Sequence, residues 1–199
     1  KYGKTFNAQG VEADISAVVE DIEKGKFSEA VYTIPKITSE YPNYYLGHYL
    51  TGVVMSGLEQ DEEAVSAFNR AISLNPNDFE SYASLGLLYY REAEKTFDSN
   101  LAAKSVENFQ KALKDNPNCN TYYYYIGLNE MLENKYDAAI SNFKKAINLK
   151  NNDYNSKYYK AVAQYLNKDY KGSIEEATNL LFRRVSNYNS VLYLRALSY

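Results

Sequence analysis

The sequence predicts an all-α fold in which five pairs of helices stack in a solenoid and a trailing helix follows. The first observation is a frame of small and aromatic residues, in which Ala64, Phe68 and Ala71 are followed by Pro76. The first position of this frame recurs at residues 30, 64, 105, 139 and 173, in steps of 34, 41, 34 and 34. A fixed period of this size is the signature of stacked helical repeats. The second observation is that helix breakers are scarce, with 9 Gly and 4 Pro in 199 residues, which favours helices throughout.

The composition indicates an ample apolar core and a weakly charged surface. Hydrophobic residues make up 45% of the sequence and the formal net charge is −3. Because non-specific phosphate binding requires a basic face, we expect no nucleic-acid partner. We also expect no membrane span, since the sequence lacks a run of about 18 apolar residues. No targeting segment is visible in a domain expected to be soluble, but the sequence opens at Lys1 without a Met, so its compartment is not indicated.

The repeats divide the chain into a short lead-in and a long solenoid. Residues 1–10 show no helical period and are either a lead-in or the start of a first helix near Ala8. The solenoid covers 11–199, with repeats at 11–44, 45–78, 79–119, 120–153 and 154–187 and a partial repeat at 188–199.

The first repeat carries the faintest copy of the frame. Its first helix is predicted from apolar residues at helical spacing, namely Ile15, Val18, Val19 and Ile22. Gly25 is expected to end that helix, because glycine is common just beyond a helix C-terminus. Pro35 lies inside the predicted second helix, where a proline costs about 3 kcal/mol unless neighbouring groups compensate.

The following repeats combine small residues with a phenylalanine. Their predicted first helices carry Gly52, Gly86 and Gly127, and their predicted second helices carry Phe68, Phe109 and Phe143. We expect the small residues to let paired helices approach closely and the phenylalanines to fill the space between them.

The third repeat is longer than the others, since its step is 41 residues and not 34. We expect its first helix to reach about Thr96 and the turn to fall at 98–100. Ser99 or Asn100 is the predicted N-cap of the next helix.

These residues resemble the tetratricopeptide repeat family, whose 34-residue pattern is W-x2-L-G-x2-Y, then A-x3-F, then P. The first part is matched, with Tyr in place of Trp, by Tyr82, Leu85, Gly86 and Tyr89. The second part is matched by Ala64, Phe68 and Pro76. The resemblance covers nearly the whole chain from Val11 onward. It implies a right-handed superhelix of antiparallel helix pairs that serves as a scaffold for protein–protein interaction.

The sequence offers little for catalysis or metal binding. His48 is the only histidine, and it falls on the face that meets the second helix of its repeat, which indicates a structural role. Cys119 is the only cysteine and has no cluster of histidines or acidic residues at ligand spacing. We therefore predict that the protein is not an enzyme and needs no metal and no cofactor.

An apolar stripe follows one face of the predicted first helices. In the tetratricopeptide repeat family, positions two, five, nine and twelve of each repeat line the concave surface, and the resemblance implies the same here. At these positions, with Tyr193 as an extension, the sequence has Tyr49, Val53, Leu87, Tyr90, Tyr124, Leu128, Met131, Tyr158, Val162, Tyr165 and Tyr193. We call these residues the aromatic stripe.

The aromatic stripe has two interpretations. It is either a groove for an extended or helical peptide, or a surface that curvature or the lead-in partly buries. We predict the groove, because tyrosine offers a large apolar face together with a hydroxyl that forms hydrogen bonds. The lysines and asparagines with which some family members grip a C-terminal carboxylate are absent, and we expect binding to depend little on salt.

The alternative function is that of a structural assembly subunit. Residues 188–199 are predicted to form a helix with more apolar surface than one neighbour buries, carried by Val191, Leu192, Leu194 and Leu197. The ends of solenoids normally have a polar outer face. This end is therefore predicted either to be covered by a further helix or to form a homo-oligomer.

Overall fold

A computed structural model describes residues 8–182 and 188–199 of the chain, and these ranges are helical with short turns between the helices. The described helices are α1 (Ala8–Glu23), α2 (Phe27–Glu40), α3 (Tyr45–Gly57), α4 (Asp61–Leu74), α5 (Phe79–Thr96), α6 (Ser99–Asp115), α7 (Asn120–Leu132), α8 (Tyr136–Leu149), α9 (Tyr154–Leu166), α10 (Tyr170–Phe182) and α11 (Tyr188–Leu197). The all-α prediction is confirmed, and α1 begins at Ala8, which is the second of the two alternatives for residues 1–10, so residues 8–10 belong to a helix. The rest of the predicted lead-in, at 1–7, lies outside the described residues.

The chain forms two compact units, Lys1–Leu88 and Tyr89–Tyr199, with the boundary inside α5. In the first unit α1 packs on α2, α2 on α3, and α3 on α4. In the second unit the same order of neighbours continues from α6 to α11. Each unit therefore consists of helices that pack against their neighbours in sequence, which is the connectivity expected of a helical repeat.

The core of the first unit joins α1, α2 and α3. Its buried members are Val11, Val18, Ala30, Ile34, Ile37, Leu50 and Val54. α2 runs without interruption through Pro35, between the buried residues Ile34 and Ile37. The free energy gained by burying these two side chains offsets the cost of the backbone hydrogen bond that proline removes. Pro35 itself is exposed, so its ring faces away from this core.

The predicted pairing of glycine with phenylalanine is confirmed in both units. A Cβ added to Gly52 would lie 2.5 Å from the Phe68 ring, and one added to Gly127 would lie 2.7 Å from the Phe143 ring. Both rings are almost completely buried. The absence of a side chain on the first helix of each pair is therefore what gives the aromatic ring its space on the second.

A residue with left-handed backbone follows each of α1, α3, α5, α7 and α9. Gly25 has a φ of 69°, and the other four turns place Glu59, Phe97, Asn134 and Lys168 at 61°, 54°, 59° and 64°. The prediction that Gly25 ends α1 is confirmed, because α1 ends at Glu23. Of the other four residues, Asn134 is of a type that is enriched in this conformation, whereas Glu59, Phe97 and Lys168 are not.

The third repeat accommodates its extra residues by lengthening both helices. α5 has 18 residues and ends at Thr96, as predicted, and α6 has 17. The predicted N-cap was wrong. Asp98 caps α6, with Oδ1 accepting hydrogen bonds from the backbone N–H of Asn100 at 2.7 Å and Leu101 at 3.4 Å. Ser99 and Asn100 already lie inside the helix, so neither can serve as its cap.

Candidate partner-binding surface

The aromatic stripe begins in the first unit with three residues of different exposure. Tyr49 is half-buried, with its ring centroid 5.9 Å from that of Phe68. Val53 is also half-buried, and Leu87 is exposed. Burial, followed by the nearby charges of Glu80 and Asp78, raises the pKa of Tyr49. In this part of the stripe, Tyr49 packs on the core of its own unit, with acidic residues nearby.

In the second unit, tyrosines from three helices form a contiguous cluster. The Tyr125 ring centroid lies 5.3 Å from those of both Tyr90 and Tyr124. Tyr124 also approaches Tyr159 at 5.9 Å, and Tyr159 contacts Tyr158 at 5.2 Å, in edge-to-face geometry in both cases. Tyr125 and Tyr159 occupy positions outside the predicted stripe. Sequence periodicity missed them because it treats each helix alone, whereas these rings bridge from one helix to the next.

Two members of the stripe lie in the core cluster of the second unit. Leu128 is only 8% exposed and is clustered with Ala139, Phe143 and Ala163. Met131 packs against the same cluster and is half-buried. Leu128 therefore does not line an open concave surface, because residues of both α8 and α9 cover it. At this residue the stripe is buried, as the second of the two interpretations anticipated.

A cleft of about 520 Å³ opens between α9 and α11. Four members of the aromatic stripe line it, namely Tyr158, Val162, Tyr165 and Tyr193. The remaining lining residues are Leu166, Asn189, Ser190, Leu194 and Leu197. The structure thus brings together the C-terminal part of the predicted groove with the apolar face predicted for the last helix, two features that the sequence treated separately.

The walls of the cleft are open to a partner. Tyr193 is 67% exposed, and Leu166 and Leu197 are 43% and 45% exposed. Tyr158 packs against the buried cluster of Ala177, Leu180 and Val191, which fixes the floor. An accessible apolar surface on a supported floor is typical of a binding site for another molecule.

The hydroxyls of Tyr90, Tyr124 and Tyr159 are held neutral by a raised pKa, and that of Tyr90 is hydrogen-bonded to a carboxylate. The Tyr90 hydroxyl donates to Glu94 Oε1 at 2.8 Å, one turn further along α5. Burial raises the pKa of Tyr90, and the hydrogen bond to Glu94 and its charge raise it further. Burial likewise is the main cause of the raised pKa of Tyr124 and of Tyr159. These side chains therefore act as hydrogen-bond donors at neutral pH.

The residues considered for chemistry occupy structural positions. Nε2 of His48 lies 2.8 Å from the carbonyl oxygen of Pro42, which ties α3 to the turn before it. Cys119 is a half-buried free thiol at the N-cap position of α7. Over the described ranges, no group of three or more His, Cys, Asp and Glu side chains is arranged to hold a metal ion. In the same ranges no helix has both the length and the apolarity to cross a bilayer.

Comparison with known families and proteins gives matches over the middle of the chain. The "TPR repeat" family profile matches residues 58–92, and the "Tetratricopeptide repeat" family profile matches residues 90–155. A TPR repeat-containing protein of Methanocaldococcus jannaschii, MJ1428, is 31% identical over 100 residues, which are 50% of this chain and 17% of that protein. A UDP-N-acetylglucosamine–peptide N-acetylglucosaminyltransferase of Giardia intestinalis is 33% identical over 60 residues, 30% of this chain and 4% of the enzyme. The chain therefore spans less than a fifth of either relative.

Solved structures match over most of the chain but at low sequence identity. MamA from Desulfovibrio magneticus RS-1, residues 41 to the end, superimposes with a TM-score of 0.76 and 17% identity, covering 89% of this chain and 97% of that one. The pilF protein of Pseudomonas aeruginosa gives a TM-score of 0.79 and 16% identity, covering 94% and 82%. At this identity the similarity shows a shared fold and does not extend to partners.

Proposed function

Because this chain belongs to the tetratricopeptide repeat family, we propose that its protein–protein interaction role consists of binding a peptide segment of a partner along the aromatic stripe. The observation that carries the proposal is the cleft between α9 and α11, which is lined by Tyr158, Val162 and Tyr165 and continues to Tyr193. The occupant is an extended or helical segment that inserts apolar side chains into this cleft.

The dimensions and chemistry of the cleft support this function. Its volume of about 520 Å³ falls within the range of about 300–1,000 Å³ that is usual for ligand pockets. Its polar groups are few, and tyrosine hydroxyls at its edge can orient a peptide backbone. Tyrosines with supported rings are among the residues that contribute most to binding energy at protein interfaces. The rest of the stripe, at Tyr90 and Tyr124, would extend the contact along the second unit.

The proposal is tested with a display library of random 12-residue peptides selected on the immobilised protein. We expect Tyr158→Ala and Tyr165→Ala each to weaken binding of the enriched peptides by about tenfold or more, because truncating a central aromatic residue costs about 2 kcal/mol or more. Binding is measured by titration of the synthetic peptides. Tyr32→Ala is the matched control, since Tyr32 lies on α2 and is 84% exposed.

The melting temperature of every variant is measured alongside its affinity. If the two cleft variants keep the melting temperature of the parent but lose affinity for the enriched peptides, the result supports the groove. If the library yields no enriched peptide, or if the enriched peptides bind both cleft variants as tightly as the parent, the groove assignment is wrong.

A second candidate function is self-association through the C-terminal end. The observation that favours it is the exposure of Leu197, Tyr193 and Tyr199 on or just beyond α11, at 45%, 67% and 86%. An apolar surface of this kind is a common site of contact between copies of a protein.

Light scattering over a range of concentrations tests this alternative. If copies associate through α11, the mass of the parent is expected to rise with concentration, and Leu197→Lys is expected to return it to that of the monomer. Ala196→Lys, on an exposed neighbouring position of the same helix, should leave the mass unchanged. A parent that is monomeric at the highest concentration, with both variants folded, would exclude self-association as the function.

A further inference from the structure

A carboxylate lies against the tyrosine cluster at the start of the second unit. Glu94 and Tyr90 are four residues apart on α5, on the same face of the helix, and are joined by the 2.8 Å hydrogen bond from the Tyr90 hydroxyl to Glu94 Oε1. Glu94 is exposed. A carboxylate accepts several hydrogen bonds at once, so the bond from one neutral hydroxyl leaves it able to accept more.

The Glu94 charge acts on three tyrosines that belong to three different helices. After burial and other contributions, it raises the pKa of Tyr90 on α5, Tyr124 on α7 and Tyr159 on α9. The Tyr124 and Tyr159 rings are themselves in edge-to-face contact, with centroids 5.9 Å apart. The Tyr125 ring centroid lies 5.3 Å from those of both Tyr90 and Tyr124, so these contacts join the three rings, and the carboxylate bonded to Tyr90, in one cluster of the second unit.

This region carries negative charge that its tyrosines do not neutralise. Among the described ion pairs of α5, Lys95 Nζ lies 3.9 Å from Glu92 Oε2. The group that donates a hydrogen bond to Glu94, in contrast, is the neutral phenol of Tyr90. Three lysines place Nζ over a tyrosine ring. The distances from Nζ to the ring centroid are 5.7 Å for Lys104 over Tyr89, 5.4 Å for Lys145 over Tyr123 and 5.8 Å for Lys157 over Tyr154. These three lysines thus lie over tyrosines outside the group formed by Tyr90, Tyr124 and Tyr159.

A carboxylate beside aromatic rings is chemically suited to an arginine side chain. The planar guanidinium stacks on aromatic faces and presents a fork of N–H donors to a carboxylate, and it is more weakly hydrated than an ammonium group. Attraction to the ring faces and charge-assisted hydrogen bonds to the carboxylate would act together on the same group. A lysine would keep the charge but lose the planar stacking and the bidentate geometry.

We propose that the second unit recognises an arginine of the partner segment, with its guanidinium held by the Glu94 carboxylate against the rings of Tyr90, Tyr124 and Tyr159. This inference rests on the proposed function, because it specifies the chemistry of the peptide that the aromatic stripe binds. It also changes the expectation for salt, since an ion pair at the surface weakens as ionic strength rises.

Parallel selections test the proposal with the same library of random 12-residue peptides. The baits are the parent protein, Glu94→Gln and Glu92→Gln. Glu92 is the matched control, because it is an exposed glutamate on the same helix. We expect arginine to be enriched in the peptides selected by the parent and by Glu92→Gln, and not in those selected by Glu94→Gln.

Synthetic peptides then separate charge from shape. An arginine-containing peptide is compared with versions in which that residue is citrulline, its neutral isostere, or lysine. We expect citrulline to weaken binding to the parent by about tenfold and to have little effect on binding to Glu94→Gln, since a hydrogen bond to a charged group contributes roughly one decade of affinity or more. Lysine is expected to bind more weakly than arginine.

The outcomes distinguish failure of the arginine assignment from failure of the proposed peptide groove on which it depends. Enriched peptides that lose affinity for Tyr158→Ala but show no arginine preference would overturn the arginine assignment and leave the peptide groove in place. Equal binding of the arginine and lysine peptides would also overturn it, because a point charge would then suffice. A library that yields no binder to the parent would overturn both proposals.

Discussion

Phe143→Ala is expected to destabilise the protein by about 3–5 kcal/mol, the range for deleting a buried phenylalanine side chain. The Phe143 ring is fully buried, and its centroid lies 6.1 Å from that of Tyr124 and 6.3 Å from that of Tyr159. Removing it opens a cavity that rings from two other helices border. Denaturation by urea, followed by far-ultraviolet circular dichroism, measures the change in the free energy of unfolding.

Tyr158→Ala provides the comparison for this experiment. Tyr158 is half-buried and lines the cleft, so its truncation removes less buried surface and is expected to destabilise the protein by less. If the Tyr158 variant unfolds as readily as the Phe143 variant while peptide binding is unchanged, the tyrosine belongs to the core and the groove interpretation fails there. The pair of variants therefore separates the core face of the repeats from the proposed binding face.

Gly127→Val is expected to be the second strongly destabilising change, by about 3 kcal/mol, the upper part of the usual range for overpacking. A Cβ at Gly127 would lie 2.7 Å from Cε1 of the Phe143 ring and 2.9 Å from Cζ. The ring cannot move away easily because Tyr124 and Tyr159 lie beside it. The valine therefore forces the two helices of this pair apart, and the melting temperature reports the loss.

A double variant and a control test the cause of that loss. Gly127→Val combined with Phe143→Leu should be more stable than the sum of the two single changes predicts, because the smaller side chain makes room for the added methyl groups. Ser141→Val is the control. Ser141 is exposed on α8, the helix that carries Phe143, so a valine there adds no atoms to the core and the effect is expected to be small. Additive effects at Gly127 and Phe143 would contradict the steric explanation.

The helices and their pairing were predictable from the sequence for a physical reason. Gly52 lies against Phe68, and Gly127 lies against Phe143, within a single helical hairpin. Both members of each pair therefore recur together in the 34-residue pattern of the sequence. Local contacts of this kind leave their full signature in the sequence. The end of α5 at Thr96 was predictable for the same reason, since the extra residues fall between two recognisable halves of one repeat.

Contacts between neighbouring hairpins left no comparable signature. The resemblance placed Leu128 on the concave surface, but residues of both α8 and α9 pack around it and bury it. Periodicity overlooked Tyr159 and Glu94, which reach the tyrosine cluster from helices on either side of α7. The sequence by itself determined which faces of each helix are apolar and which residues let paired helices approach. Only the tertiary structure decided which apolar faces a neighbour covers and which stay open, because that depends on how successive pairs stack and not on the pattern within any one of them.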